Sequence, residues 1–234
     1  MNTYAFICTR EKGPTVTRNN LTHYLSRAGV QVKLLVGQDS IFSGYKKAFE
    51  LTKPDPTDII ILCHDDIEIL SDIKIFKNAL ETHLSQYKSG FAGVAGTTFL
   101  DKDAVWWNHD RWKAGLHRGH VFHGKSPYEY DNTYYGPPDQ VVAMDGLFLA
   151  ATAKTLEKVG LDKPEYFEGE WDFYDIHYTT KAHQMGLINK VVPIMVLHNS
   201  FGELAGRDSW HRNREAFVQN TDLPISWIKN AKCS

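Results

Sequence analysis

Over residues 4–96 short apolar runs alternate with segments of helical period, and that alternation leaves few folds open. "YAFIC" (4–8), "QVKLLVG" (31–37), "IIILC" (59–63) and "FAGVAG" (91–96) read as strands, because each is short, apolar and bounded by Gly, Pro or polar residues. Between the first two, "TRNNLTHYLSRAG" (17–29) spaces Leu21, Tyr24, Leu25 and Ala28 three and four apart and ends on Gly29. "SGYKKAFELT" (43–52) reads as a short helix that "PDPTD" (54–58) breaks. "SDIKIFKNALETHLSQYKSG" (71–90) carries the clearest apolar stripe, Ile73, Phe76, Leu80, Leu84 and Tyr87, with Ser71 as its cap. Strands alternating with helices predict an α/β fold, a mostly parallel sheet with helices on both faces.

The rhythm stops from 97 to 140, a stretch rich in Trp, Tyr, His, Gly and Pro with no period. It reads as a long functional loop, since so many aromatics argue against disorder. Regularity returns over 144–160, 171–186 and 188–198, and the polar remainder is expected to wrap the domain. At 234 residues, 42% of them hydrophobic, the chain suits one large α/β domain or one with a long insertion. A net charge of -2 gives no global sign of a nucleic-acid or membrane binder. Cys8, Cys63 and Cys233 are odd in number and widely spaced, which fits a reducing compartment better than a disulfide or zinc framework. The N-terminus lacks a cationic region followed by a long apolar stretch, and no apolar run approaches 18 residues. The expectation is a soluble, cytoplasmic protein without stable membrane insertion.

"IILCHDDIEIL" (59–69) runs a buried strand straight into the adjacent carboxylates Asp65 and Asp66. In open α/β sheets, ligands bind at the carboxyl ends of the strands. Side by side, two carboxylates repel, and a divalent cation relieves both that repulsion and their desolvation. Oxygen ligands suit Mg²⁺ or Mn²⁺. The plainer reading is a solvated turn with one Asp capping a helix. Asp39, in "LLVGQDS" after the preceding strand, can accept from a nucleobase N–H or a ribose hydroxyl, or can form an Asx turn.

The ordered set of these motifs resembles GT-A fold glycosyltransferases, in particular the family-2-like group. A carboxylate after the second strand is matched by Asp39 with Ser40, and a DxD-type metal motif by "HDD" at 64–66. An Asp-Gly pair is matched by Asp145 and Gly146. The "ED" pair that opens a late helix is matched by "FYD", where Tyr174 replaces the acid and Asp175 lies eleven residues before Gly186. The late "HxS" histidine is matched by His198 with Ser200.

The resemblance implies a Rossmann-like GT-A domain, with a nucleotide-sugar and metal half at 1–98, an acceptor and catalytic half at 99–200 and a C-terminal wrap at 201–234. It also implies sugar transfer from a nucleotide-sugar donor to a hydroxyl acceptor, by a single inverting displacement. Asp66, His198 and His64 become candidate ligands of Mn²⁺ or Mg²⁺. Thr9, Asp39, Ser40, Asp65, Asp145 and Gly146 become candidate donor contacts. Asp175, or alternatively Asp172, becomes the base that deprotonates the acceptor.

The segment "WWNHDRWKAGLHRGHVFHGK" (106–125) supplies the candidate acceptor wall, Trp106, Trp107 and Trp112, with Trp171 ahead of the last helix. The aromatics could equally form a satellite core, and His117, His120 and His123, three apart, could sit in a polar loop or bind metal. Arg111, Lys113, Arg118 and Lys125 oppose only Asp110, so the acceptor is either a glycan or a phosphate-bearing molecule such as a hydroxylated base in DNA. Two other readings stand beside this one. One is a sugar or nucleic-acid binding module on a degenerate scaffold. The other is a metal-dependent phosphoesterase using His64, Asp65, Asp66 and His198.

Overall fold

In the computed structural model, residues 1–9, 15–126, 129–200 and 208–227 are described. Cys233 and the side chain of Lys125 lie outside them. Among the described residues no helix is long and apolar enough to cross a membrane.

The first half folds as the alternation predicts. Strand β1 (Thr3–Thr9) leads into α1 (Val16–Arg27), β2 (Gln31–Val36), α2 (Ile41–Thr52) and the wholly buried β3 (Ile59–Cys63). β1 pairs in parallel with both β2 and β3, so β2 and β3 flank it on opposite sides. Right-handed crossovers then put α1 and α2 on opposite faces of the sheet. Next come β4 (Ile67–Ile69), α3 (Ile73–Leu84), β5 (Ser89–Gly93) and β6 (Ala95–Thr97). Helix α3 lies on the α1 side, where Phe76 packs edge-on to Tyr24 with ring centroids 5.6 Å apart. It is capped by Asp72, whose carboxylate accepts from the Lys74 amide, and not by Ser71. The Ser71 hydroxyl is engaged instead by the Met195 amide, and its carbonyl by the Tyr24 hydroxyl.

The aperiodic stretch is not one long loop. It holds β7 (Phe99–Leu100), α4 (His109–Lys113), and a hairpin of β8 (His117–Ser126) and β9 (Glu129–Gly136). Burial alternates along the first part of β8, as a strand demands, but the inward positions are His117, Gly119 and Val121 rather than a Val/Ile series. Gly119 has φ +118°, and a Cβ there would lie 2.2 Å from the Val94 carbonyl oxygen. Strand pairing this close to β6 therefore requires glycine.

The chain continues through β10 (Gln140–Val141), β11 (Ala143–Met144), β12 (Phe148–Thr152), α5 (Ala153–Val159) and α6 (Tyr174–Gln184). It closes with β13 (Ile188–Val191), β14 (Val196–His198), α7 (Asp208–Asn220) and β15 (Ile225–Ser226). The main sheet runs β10-β13-β5-β12-β3-β1-β2, parallel except for β12 and β10. A second sheet runs β11-β6-β8-β14-β4, with β9 on β8. Among the segments that carry the chain between the sheets are 64–66 from β3 to β4, Val94 from β5 to β6, and 145–147 from β11 to β12. The seam between the sheets is where the polar residues gather.

Candidate active site

Two of these crossings and the end of β14 build the site. Antiparallel pairing of β14 with β4 sets His198 opposite Ile67, and the Asn199 amide donates to the Asp66 carbonyl at 2.7 Å. That ladder brings together residues far apart in sequence. His198 Nε2 lies 3.3 Å from Asp66 Oδ2, and His64 Nδ1 lies 3.7 Å from Asp66 Oδ1. One ligand atom from each of the three falls within 4.8 Å of the others. Burial pushes the Asp66 carboxyl up, but the His198 hydrogen bond and the two imidazole charges outweigh it and hold it at about 2. His64 is depressed by burial, against the pull of Asp66. Asp66 Oδ1 is buried and has no hydrogen-bond partner among the described residues. Two imidazoles around such an orphaned carboxylate oxygen fit a divalent cation. The triad draws on both halves of the chain, His64 and Asp66 from the first and His198 from the second.

Asp65 stands apart from the triad. Its Oδ2 lies 3.5 Å from the buried guanidinium of Arg18, which also donates to Thr9 Oγ1 at 3.1 Å. Asp39 is exposed, and its carbonyl accepts from Trp171 Nε1 at 2.9 Å. The Ser40 hydroxyl caps α2, accepting from the Ser43 amide.

Asp145, Asp172 and Asp175 line a cleft of about 1010 Å³ together with the triad. Asp175 opens α6. Its Oδ2 accepts from the Gly146 amide at 2.8 Å and its Oδ1 from the Ile176 amide at 2.9 Å. Burial and the neighbouring Asp145 charge raise it, the two amides pull it back, and the balance lies at about 7. Asp172 is buried, and its Oδ2 accepts from the Ser209 hydroxyl of α7 at 2.7 Å. Phe173, between the two acids, has φ 69°. Its ring is locked against Trp210 and Phe217, both with centroids at 5.5 Å, so packing sustains a backbone conformation that a Phe rarely adopts.

The aromatic segment forms the far wall. Trp106 is buried in a ring cluster with Tyr135 (5.3 Å), His117 (5.7 Å) and Trp107 (5.9 Å), so it is core as well as lining. Trp107, Trp112 and Trp171 are more open and border the same cleft. The three histidines do not form a cluster. His117 is buried, His120 faces the opposite side with Phe122, and His123 reaches the triad, its ring 5.5 Å from that of His198.

The basic residues correct a further expectation. Arg111 pairs with Asp101, and Arg118 donates to the Gly115 and His117 carbonyls. Neither lines the cleft, nor does any other Lys or Arg among the described residues, whereas Asp66, Asp131, Asp145, Asp172 and Asp175 all do. Arg111 and Arg118, at least, direct their charge away from the cleft.

Family comparison decides the class. The profile of a family described as a glycosyltransferase-like family matches residues 22–220. The chain belongs to that family. No curated protein matches its sequence. Among solved structures, this glycosyltransferase-like chain is similar to GalNAc-T7 with UDP, GalNAc and Mn²⁺, at a TM-score of 0.61 and 12% identity. The alignment covers 94% of the chain but 48% of GalNAc-T7, about half that protein's length. It is also similar to A197 from STIV, at a TM-score of 0.50 and 12% identity over 85% of each chain. At such identities the likeness establishes the fold, which is GT-A.

Proposed function

We propose that the chain is a metal-dependent glycosyltransferase that moves a sugar from a nucleotide-sugar to a hydroxyl of an uncharged glycan, in one inverting displacement. The observation that carries this reading is a carboxylate with its pKa raised to about 7, Asp175, facing the same cleft as the His64–Asp66–His198 triad. A base with a pKa near the working pH combines the correct protonation state with useful driving force. GalNAc-T7, of the same fold, was solved with UDP, GalNAc and Mn²⁺, which supports a nucleotide-sugar donor and a divalent ion here. Two imidazoles with one carboxylate favour Mn²⁺ over the harder Mg²⁺. When bound, the ion would neutralise charge on the diphosphate leaving group.

The residues of the chain divide the remaining work. Asp66, His64 and His198 hold the ion. Asp175 takes the proton of the acceptor hydroxyl as it attacks. Asp172, already engaged by Ser209, anchors α7 beneath it. Trp107, Trp112 and Trp171 offer faces on which a sugar ring can stack, and the acidic lining disfavours a polyanionic acceptor. The phosphoesterase reading needs Asp65 at the metal, yet Asp65 pairs with Arg18 outside the triad.

The test is turnover of a panel of nucleotide-sugars in Mn²⁺ with neutral oligosaccharide acceptors. Transfer that stops with EDTA and with Asp175→Asn supports the proposal. Binding without turnover would favour the binding-module alternative, and hydrolysis of a simple phosphodiester without donor would favour the phosphoesterase.

A further inference from the structure

The position where the family resemblance places an acid holds Tyr174, and its hydroxyl lies between two parts of the site. It is 2.8 Å from the Gly146 carbonyl oxygen and 3.1 Å from His64 Nε2. A phenol has one proton. The carbonyl can only accept, so the phenol donates to Gly146 and must accept from Nε2–H of His64. A neutral imidazole carries one N–H, so Nδ1 of His64 is left as a bare lone pair. That lone pair faces Asp66 Oδ1, itself without a hydrogen-bond partner among the described residues, at 3.7 Å. Two acceptors are thus aimed at one another across a gap that suits a cation and no proton.

We propose that Tyr174 is a positioning residue that fixes the His64 tautomer and so makes His64 a metal ligand through Nδ1. The inference rests on the metal-dependent reading above and assigns a role to a residue outside the triad. The Tyr174 ring is buried between Tyr45, at 5.9 Å, and Tyr178, at 6.1 Å, which leaves its hydroxyl little freedom. Gly146 completes the device. A Cβ there would stand 2.3 Å from the Tyr174 hydroxyl and 3.1 Å from Asp175 Cβ, so glycine is required for the close approach. The same residue gives its carbonyl to Tyr174 and its amide to Asp175. One glycine therefore joins the hydrogen bonds of a metal ligand to those of the base. Outer partners of ligating histidines set ring orientation and basicity in this way.

The experiment has two arms, both without donor or acceptor. The first reads the ¹⁵N shifts of the His64 ring in the wild-type protein and in Tyr174→Phe, which keeps the ring and removes the hydroxyl. The wild type should show Nε2–H alone, and the variant a mixture. A proton on Nδ1 in the wild type overturns the proposal without any variant. The second arm titrates Mn²⁺ by calorimetry. Tyr174→Phe should bind about 10- to 100-fold more weakly, the usual cost of losing an outer-shell partner. Wild-type affinity in the variant overturns the role of Tyr174 and leaves the metal reading standing. A wild-type protein that binds no Mn²⁺ overturns both.

Discussion

The Asp175 carboxylate accepts the Gly146 amide at 2.8 Å and still holds its proton up to about pH 7, because burial and the Asp145 charge outweigh that hydrogen bond. Two pH effects follow. Turnover at saturating donor and metal should rise as pH passes through about 7, since only the ionised base accepts a proton. Asp175→Asn should flatten that limb and lower the rate by roughly 10² to 10⁴. Should Asp172→Asn remove the limb while Asp175→Asn stays active, the two roles are reversed.

The same shift acts on stability. Folding raises this carboxyl above its unfolded value of 3.8, so between about pH 4 and 7 the folded chain holds a proton that the unfolded chain has released. The contribution of Asp175 to stability therefore declines as pH rises through that window and is flat above it. Urea melts at pH 5.5 and 8 should show a larger loss for the wild type than for Asp175→Asn. Equal losses would mean that the carboxyl titrates normally.

The metal triad makes a separate prediction. Saturating Mn²⁺, at ~100 times its dissociation constant, should stabilise the protein by about 2.7 kcal/mol, read as a rise in Tm. Asp66→Ala removes the carboxylate that both imidazoles face and should abolish the rise, and His198→Ala should reduce it sharply. Asp65→Asn should keep it, because Asp65 answers to Arg18. A full thermal shift in Asp66→Ala would exclude the triad as the metal site.

How far the sequence discloses this depends on the kind of signal. β3, buried at all five positions, was legible to the residue because nothing but a two-faced central strand reads "IIILC". The β8–β9 hairpin was hidden because the buried positions of β8 other than Val121 are His and Gly, which carry no apolar alternation, and because pairing with β6 and β14 supplies the order that local sequence does not. Asp66 and His198 were legible as motifs, but their meeting rests on the β14–β4 register. Arg18 and Asn213 gave no sequence signal at all, and His123 none that set it apart from His117 and His120. Each matters through a contact made by a distant element.

The cleft predicts how the acceptor binds. Trp107, Trp112 and Trp171 replaced singly by Ala should each raise the acceptor KM, by tenfold where the ring stacks on a sugar, equivalent to about 1.4 kcal/mol. Donor affinity should hold in Trp107→Ala and Trp112→Ala. Trp106→Ala should behave differently and destabilise by about 3 to 5 kcal/mol, as a buried aromatic does. Because no Lys or Arg among the described residues lines the cleft, acceptor binding should change little with added salt. Steep salt dependence would restore a polyanionic acceptor.

Asn213 predicts how the base is held. It is fully buried on α7, accepts from the Gly169 amide at 2.8 Å, and donates to the carbonyls of Gly169 at 3.1 Å and Asp172 at 3.0 Å. On its other side the same segment is tied to the start of α2, where the Ile41 amide meets the Glu170 carbonyl at 3.0 Å. The strained Phe173 and then Asp175 follow directly. Asn213→Ala would leave several buried backbone groups unpaired, at a cost of roughly 3 kcal/mol, since each such group costs about 1 to 3. Asn213→Asp keeps the acceptor toward the Gly169 amide but sets a carboxylate against two carbonyls, so it should be no better. If the segment positions the base, Asn213→Ala assayed well below its lowered Tm should lose kcat and shift the pH limb from about 7, with Mn²⁺ affinity unchanged. A variant that loses stability alone, with kcat and the limb intact, would confine Asn213 to a packing role.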